Sequence, residues 1–157
     1  MFNSKKKEKS LNSPVSGKII SIDKVPDSVF SQKILGDGFA VIPSNGNILS
    51  PANGTISQVS ETLHAYCIDS SDGLEILVHI GIDTVNLKGE GFSPLVKTGD
   101  KINRGEPLAS VSLETLKNHG YNTTVVTVIT NTEKLKAHRL IENPDAPAGI
   151  PAFIYKI

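Results

Sequence analysis

From residue 13 onward, apolar and polar residues alternate in short runs, and glycine, proline or asparagine breaks each run. Runs this short, with turn residues between them, predict many closely spaced strands rather than helices. Thr123–Thr130 (Thr-Thr-Val-Val-Thr-Val-Ile-Thr) has strong β propensity. Ala152–Ile157 reads as a closing strand. Helical signals are brief, with one turn after Pro26 and one across Leu113–Asn118, stopped by Gly120. The expected class is all-β, an antiparallel sandwich with short helical turns.

An internal echo refines that picture. Ser13-Pro14-Val15-Ser16-Gly17-Lys18-Ile19 is answered by Ser50-Pro51-Ala52-Asn53-Gly54-Thr55-Ile56. Val96–Leu108 adds a Gly-Asp-x-Ile-x-x-Gly cadence through Gly99, Asp100, Ile102 and Gly105. That cadence resembles the hairpins of barrel-sandwich hybrid folds that carry biotin or lipoate, and together with the echo it suggests a duplicated hybrid motif.

Composition narrows the setting. The chain has 157 residues, enough for one domain with a substantial core, and its 16 basic residues balance 16 acidic ones. No overall field draws it to nucleic acid or an anionic membrane. No apolar run approaches the roughly 20 residues of a spanning helix, and the Lys-rich start lacks a secretory apolar stretch. One cysteine, Cys67, cannot form an internal disulfide, so a cytoplasmic location is expected. Residues 1–12, rich in Lys, Ser and Asn, read as a disordered leader ahead of a domain spanning 13–157.

The strongest chemical signal is a hairpin. Thr62–Ile68 and Leu74–Ile80 flank the turn cluster Asp69-Ser70-Ser71-Asp72-Gly73. With a Ser70–Gly73 loop, Asp69 faces Leu74 and, counting outward, His64 faces His79. The two Cα atoms would then stand roughly 4.5–5.5 Å apart with both imidazoles on one face. A slip of one residue would separate the faces, so this expectation rests on the loop. In the same register Cys67 points away from the histidines as a small buried filler. Neutral imidazole is nucleophilic near neutral pH, and no phosphate-cradling Gly-x-x-x-x-Gly-Lys-Ser/Thr loop is present.

The block His79-Ile80-Gly81-Ile82-Asp83-Thr84-Val85-Asn86-Leu87-Lys88-Gly89-Glu90-Gly91-Phe92 is long and specific. With Val25-Pro26-Asp27, Phe30 and Gly36–Ala40, it closely resembles the glucose-type enzyme IIA domain of the bacterial sugar phosphotransferase system. The resemblance spans residues 13–157. It implies that His79 accepts a phosphoryl group from the histidine-containing phosphocarrier protein and passes it to a cysteine of an enzyme IIB domain during sugar uptake. It further implies that His64 hydrogen-bonds the phosphoryl oxygens and that Thr62 orients His64. Imidazole and backbone donors can stabilise a phosphoryl group moving between nitrogen and sulfur nucleophiles, so no metal or cofactor is expected.

Asp37 and Asp83 align with the family's acidic rim, and Phe39, Val41, Leu77 and Ile80 with an apolar collar that receives partners. Asp37, between two glycines, equally suits a turn, and several of the four apolar residues equally suit the core. Leu63 stands where Asn or Lys is usual, and Ser60 and Leu77 where some members carry phenylalanines. Attached transport and IIB domains are not part of this sequence, so transfer in trans is expected. Two other readings stand beside this one. The first is a regulatory enzyme IIA-like protein that is not phosphorylated. The second is a lysostaphin-type zinc hydrolase, although the His-x-His pair such enzymes use is missing.

Overall fold

Fourteen short strands form within residues 7–157, the part of the chain described by this computed structural model. In chain order they begin β1 (Lys9–Asn12), β2 (Gly17–Ser21), β3 (Asp37–Pro43), β4 (Asn47–Leu49), β5 (Gly54–Val59), β6 (Ala65–Ser70) and β7 (Glu75–Ile80). They continue β8 (Phe92–Pro94), β9 (Lys101–Ile102), β10 (Pro107–Val111), β11 (Val125–Ile129), β12 (Ala137–Leu140), β13 (Asn143–Ala146) and β14 (Pro151–Lys156). Helix α1 (Ser28–Ser31) starts where Asp27 accepts the Val29 N–H at 2.9 Å, and α2 (Leu113–Asn118) where Ser112 caps Thr115 at 3.2 Å.

All strand pairs are antiparallel, as the sequence leads one to expect. An eight-stranded sheet runs β13-β2-β3-β11-β7-β6-β5-β9, and two three-stranded sheets run β1-β14-β12 and β4-β10-β8. The three sheets share one core, in which Phe39, Val41, Tyr66, Ile68, Val78 and Ile80 of the large sheet meet Leu11, Ile48, Leu108 and Phe153. On the large sheet's other face a second cluster forms. Ile20, Ala40, Val126 and Val128 lie beneath Ile22, Val25, Phe30 and Ile82. Strand β11 is therefore covered on both faces, so its sequence reads as an apolar run instead of an alternation.

The sequence echo is physical. Ser13 Oγ donates to the Val15 carbonyl at 2.8 Å, and Ser50 Oγ to the Ala52 carbonyl at 2.7 Å. The two segments also exchange matching bonds, Asn12 N–H to the Pro51 carbonyl and Leu49 N–H to the Pro14 carbonyl. Each ends in a glycine that passes close to a neighbouring strand. A Cβ on Gly17 would lie 2.1 Å from the Ile42 oxygen, and one on Gly54 2.2 Å from the Asp69 oxygen. The repeat conserves a crossing that only glycine fits.

The expected leader boundary needs correction. Residues 1–6 lie outside the described residues, but Lys9–Asn12 form β1 and pair with β14, with Leu11 fully buried. The polar composition of 1–12 hides one apolar anchor, and an edge strand needs no more than that to dock. Among the described residues no helix is long and apolar enough to cross a membrane.

Candidate active site

His79 sits next to the end of β7, and His64 immediately precedes β6. The loop joining the two strands is one residue shorter than expected. Ser70 N–H donates to the Leu74 carbonyl (2.8 Å) and Leu74 N–H to the Ser70 hydroxyl (2.9 Å), closing Ser71-Asp72-Gly73. Gly73, at φ 94°, supplies the left-handed residue of a three-residue hairpin loop. The register consequently slips by one, so Ala65 faces His79 and Asp69 faces Glu75.

The slip moves Cys67 onto the His79 face, opposite Leu77 and half-exposed, so it is not the buried filler expected. The histidines meet nonetheless. His64 lies outside the regular strand, after Leu63, whose φ of 64° turns the chain left-handed, so strict side-chain alternation does not bind it. The two rings stand edge to face, with centroids 4.8 Å apart and planes at 83°.

One hydrogen bond sets the chemistry of His79. Its Nδ1 lies 2.8 Å from the Gly81 carbonyl oxygen, which can only accept, so Nδ1 carries the proton. In the neutral ring Nε2 then holds the free lone pair. Gly81 itself stands at φ +78°, and its N–H is fixed to the Thr124 carbonyl at 2.9 Å, so the accepting oxygen is held in place. Phe30 from α1 packs edge-on against the His79 ring at 5.0 Å. Burial, and then the neighbouring His64, push the His79 pKa down to about 4, against the Gly81 hydrogen bond and the Asp27 and Asp83 carboxylates, which raise it. His79 is thus an uncharged imidazole at neutral pH, with the Nε2 lone pair unprotonated.

His64 is 9% exposed, and burial lowers its pKa. Its Nδ1 meets the Thr62 hydroxyl at 2.8 Å, with the Ser60 hydroxyl at 3.4 Å. His64, His79 and Thr62 are thereby brought together, and Asp83 and Leu77 lie on the same side. Asp83 acts electrostatically on His79, and Leu77 packs against the Phe30 cluster.

The other residues expected at a partner surface lie elsewhere. Phe39, Val41 and Ile80 are fully buried in the main core, because alternation turns them to the inner face; Phe39 stacks on Phe153 at 6.3 Å. Asp37 is three residues along β3 from Ala40, the residue level with His79 across β11, and so has the opposite facing. It lies 3.5 Å from Lys33 Nζ and 3.4 Å from His138 Nε2. The residues that do flank the pair are Asp27 and Phe30; their helix α1 exposes Val29 (40%), and the turn Thr84–Leu87 after Asp83 exposes Val85 (47%). The Val25-Pro26-Asp27 and Phe30 signature pointed to that segment. Gly81 acts through its carbonyl, for which a sequence carries no residue-type signal. Among the described residues no three His, Cys, Asp or Glu side chains converge as a metal centre requires.

Residues 9–135 match the family described as phosphoenolpyruvate-dependent sugar phosphotransferase system, EIIA 1. The chain belongs to this family. A glucose-specific EIIA component of Buchnera aphidicola is 47% identical over 135 residues, covering 86% of this chain and 83% of that protein. One from Oceanobacillus iheyensis is 39% identical, covering 91% and 87%. The solved structure of glucose permease IIA from Mycoplasma capricolum superposes with a TM-score of 0.84 at 31% identity, covering 98% of this chain and 99% of that one. This EIIA-family chain therefore has the antiparallel fold of a known phosphotransferase-system component along nearly its whole length.

Proposed function

We propose that this EIIA-family protein carries a phosphoryl group on Nε2 of His79. The carrying observation is the Nδ1–H to Gly81 bond, which leaves Nε2 as the free nucleophile beside the His64 ring. The Nε2 lone pair attacks phosphorus, and the bond from phosphorus to the donor imidazole breaks, with its electron pair returning to the donor. In the second step an acceptor thiolate attacks and Nε2 leaves as neutral imidazole. A ring that burial keeps uncharged suits both steps. Once Thr62 has fixed its orientation, His64 donates to a phosphoryl oxygen and stabilises charge as it moves, which is the main service a site performs in phosphoryl transfer.

The donor in this reading is the histidine-containing phosphocarrier protein, and the acceptor is a cysteine of a IIB domain of a sugar permease, both on the cytoplasmic side. Asp27 and Asp83 beside an exposed apolar surface at Val29 and Val85 suit a partner with a basic and apolar contact patch.

Single-turnover kinetics with phosphoenolpyruvate, enzyme I and the phosphocarrier test the assignment. His79→Ala should take up no acid-labile, base-stable phosphate. His64→Gln should still accept phosphate but lose most of the onward transfer, because donation depends on stabilising the departing group. Labelling of the His79 variant, with failure of the His64 variant at acceptance, would exchange the two roles.

A further inference from the structure

Ser60 makes more contacts than a turn residue needs. Its N–H donates to the Ala65 carbonyl at 3.0 Å, its carbonyl accepts the Leu63 N–H at 2.9 Å, and its hydroxyl oxygen accepts the Ala65 N–H at 3.1 Å. The chain between Ser60 and Ala65 is thereby closed into a knot, with Leu63 left-handed at φ 64° and His64 projecting from it. The Ser60 oxygen accepts that backbone N–H on one of its two lone pairs, and its own hydrogen remains to be donated. The acceptor it faces is His64 Nδ1 at 3.4 Å, the nitrogen that Thr62 addresses at 2.8 Å.

We propose that Ser60 is a positioning residue that, together with Thr62, forms a two-hydroxyl clamp on Nδ1 and holds His64 with its proton on Nε2. Resting on the carrier role proposed for His79, this gives the clamp a purpose. Only the Nε2–H form has a donor on the ring nitrogen not occupied by the hydroxyls, and a phosphoryl oxygen on His79 needs that donor. Thr62 alone is ambiguous, because a single hydroxyl donates to a bare Nδ1 or accepts from a protonated one equally well. A second hydroxyl, whose hydrogen faces Nδ1 and meets no other acceptor among the described residues, is satisfied only when Nδ1 is bare, and so biases the ring.

The test reads the His64 tautomer directly, by ¹⁵N shifts of the imidazole nitrogens in mildly alkaline buffer, for the wild type, Ser60→Ala and Ser60→Thr. The expected result is a wild-type ring almost wholly in the Nε2–H form. Ser60→Ala should raise the Nδ1–H population by roughly 3- to 10-fold, the worth of one neutral hydrogen bond, and Ser60→Thr should restore the wild-type ratio. Onward phosphoryl transfer by Ser60→Ala should fall by a similar factor, with acceptance less affected. Backbone shifts of residues 60–65 show whether the knot stays closed. An unchanged tautomer ratio in Ser60→Ala with the knot intact overturns the proposal and leaves Ser60 as a turn staple. An Nδ1–H ring in the wild type overturns it as well. If the carrier role of His79 is wrong, the wild type fails to label, while the tautomer result still decides the clamp.

Discussion

At the residue scale, His79 joins two effects with opposite signs. Burial and the neighbouring His64 hold its pKa near 4, below the ordinary imidazole value of 6.5, although a hydrogen bond and two carboxylates pull the other way. The consequence for stability follows from linkage. A histidine with a depressed folded pKa binds fewer protons when folded, so it costs nothing above about pH 6.5 and destabilises progressively as pH falls toward 4. The cost levels off below that, at about 3 kcal/mol. His79→Gln should flatten the fall in unfolding free energy between pH 6.5 and 4 relative to wild type, measured by urea titration at each pH. Parallel pH curves for the two proteins would show that the ring is solvated and ordinary.

At the element scale, the site depends on two supports outside the hairpin. Phe30 is 5% exposed, joins the second core and touches the His79 ring. Phe30→Ala should lower stability by about 3–5 kcal/mol. It should also raise the His79 pKa toward 6.5, because water reaches the ring; NMR titration of the imidazole checks this. The turn after β7 is less tolerant. A Cβ on Gly81 would lie 2.5 Å from Thr84 Cγ2 at a backbone φ of +78°, so Gly81→Ala should cost about 2 kcal/mol or more and shift the carbonyl that fixes Nδ1–H. Thermal unfolding and the ring ¹⁵N shifts report both effects.

The same elements show what the sequence made legible. The hairpin, both helical turns and the histidine pair could be read from turn chemistry, caps and motif. The register could not, because Ser70-Ser71-Asp72-Gly73 and Ser71-Asp72-Gly73 are both good loops. The choice fell to a backbone bond between Ser70 and Leu74. Nor did alternation decide the facing of His64, since Leu63 breaks the strand just before it. Phe39, Val41 and Ile80 looked available to partners on the strength of the motif, whereas their places along β3 and β7 turn them inward.

At the scale of the whole molecule, the large sheet is an asymmetric platform. Its inner face carries the main core shared with two small sheets, and its outer face is sealed by α1 and its flanks until the cover ends at His79. The N-terminal strand belongs to this architecture, because Leu11 of β1 is fully buried in the main core. Leu11→Ala should therefore cost about 2–5 kcal/mol in denaturant unfolding, as for other buried leucines. A loss within 0.5 kcal/mol, the range of ordinary surface substitutions, would return residues 9–12 to the leader.

The central claim is that the group rides on Nε2 of His79, and the most direct measurement is its atomic position. The protein is phosphorylated through phosphoenolpyruvate, enzyme I and the phosphocarrier, and the new bond is then located by ³¹P and ¹⁵N NMR of the imidazoles. Because Nδ1–H is committed to the Gly81 carbonyl, a single phosphorus–nitrogen coupling to Nε2 of His79 is expected, with His64 unmodified. A coupling to Nδ1 of His79, or to either nitrogen of His64, would contradict the account.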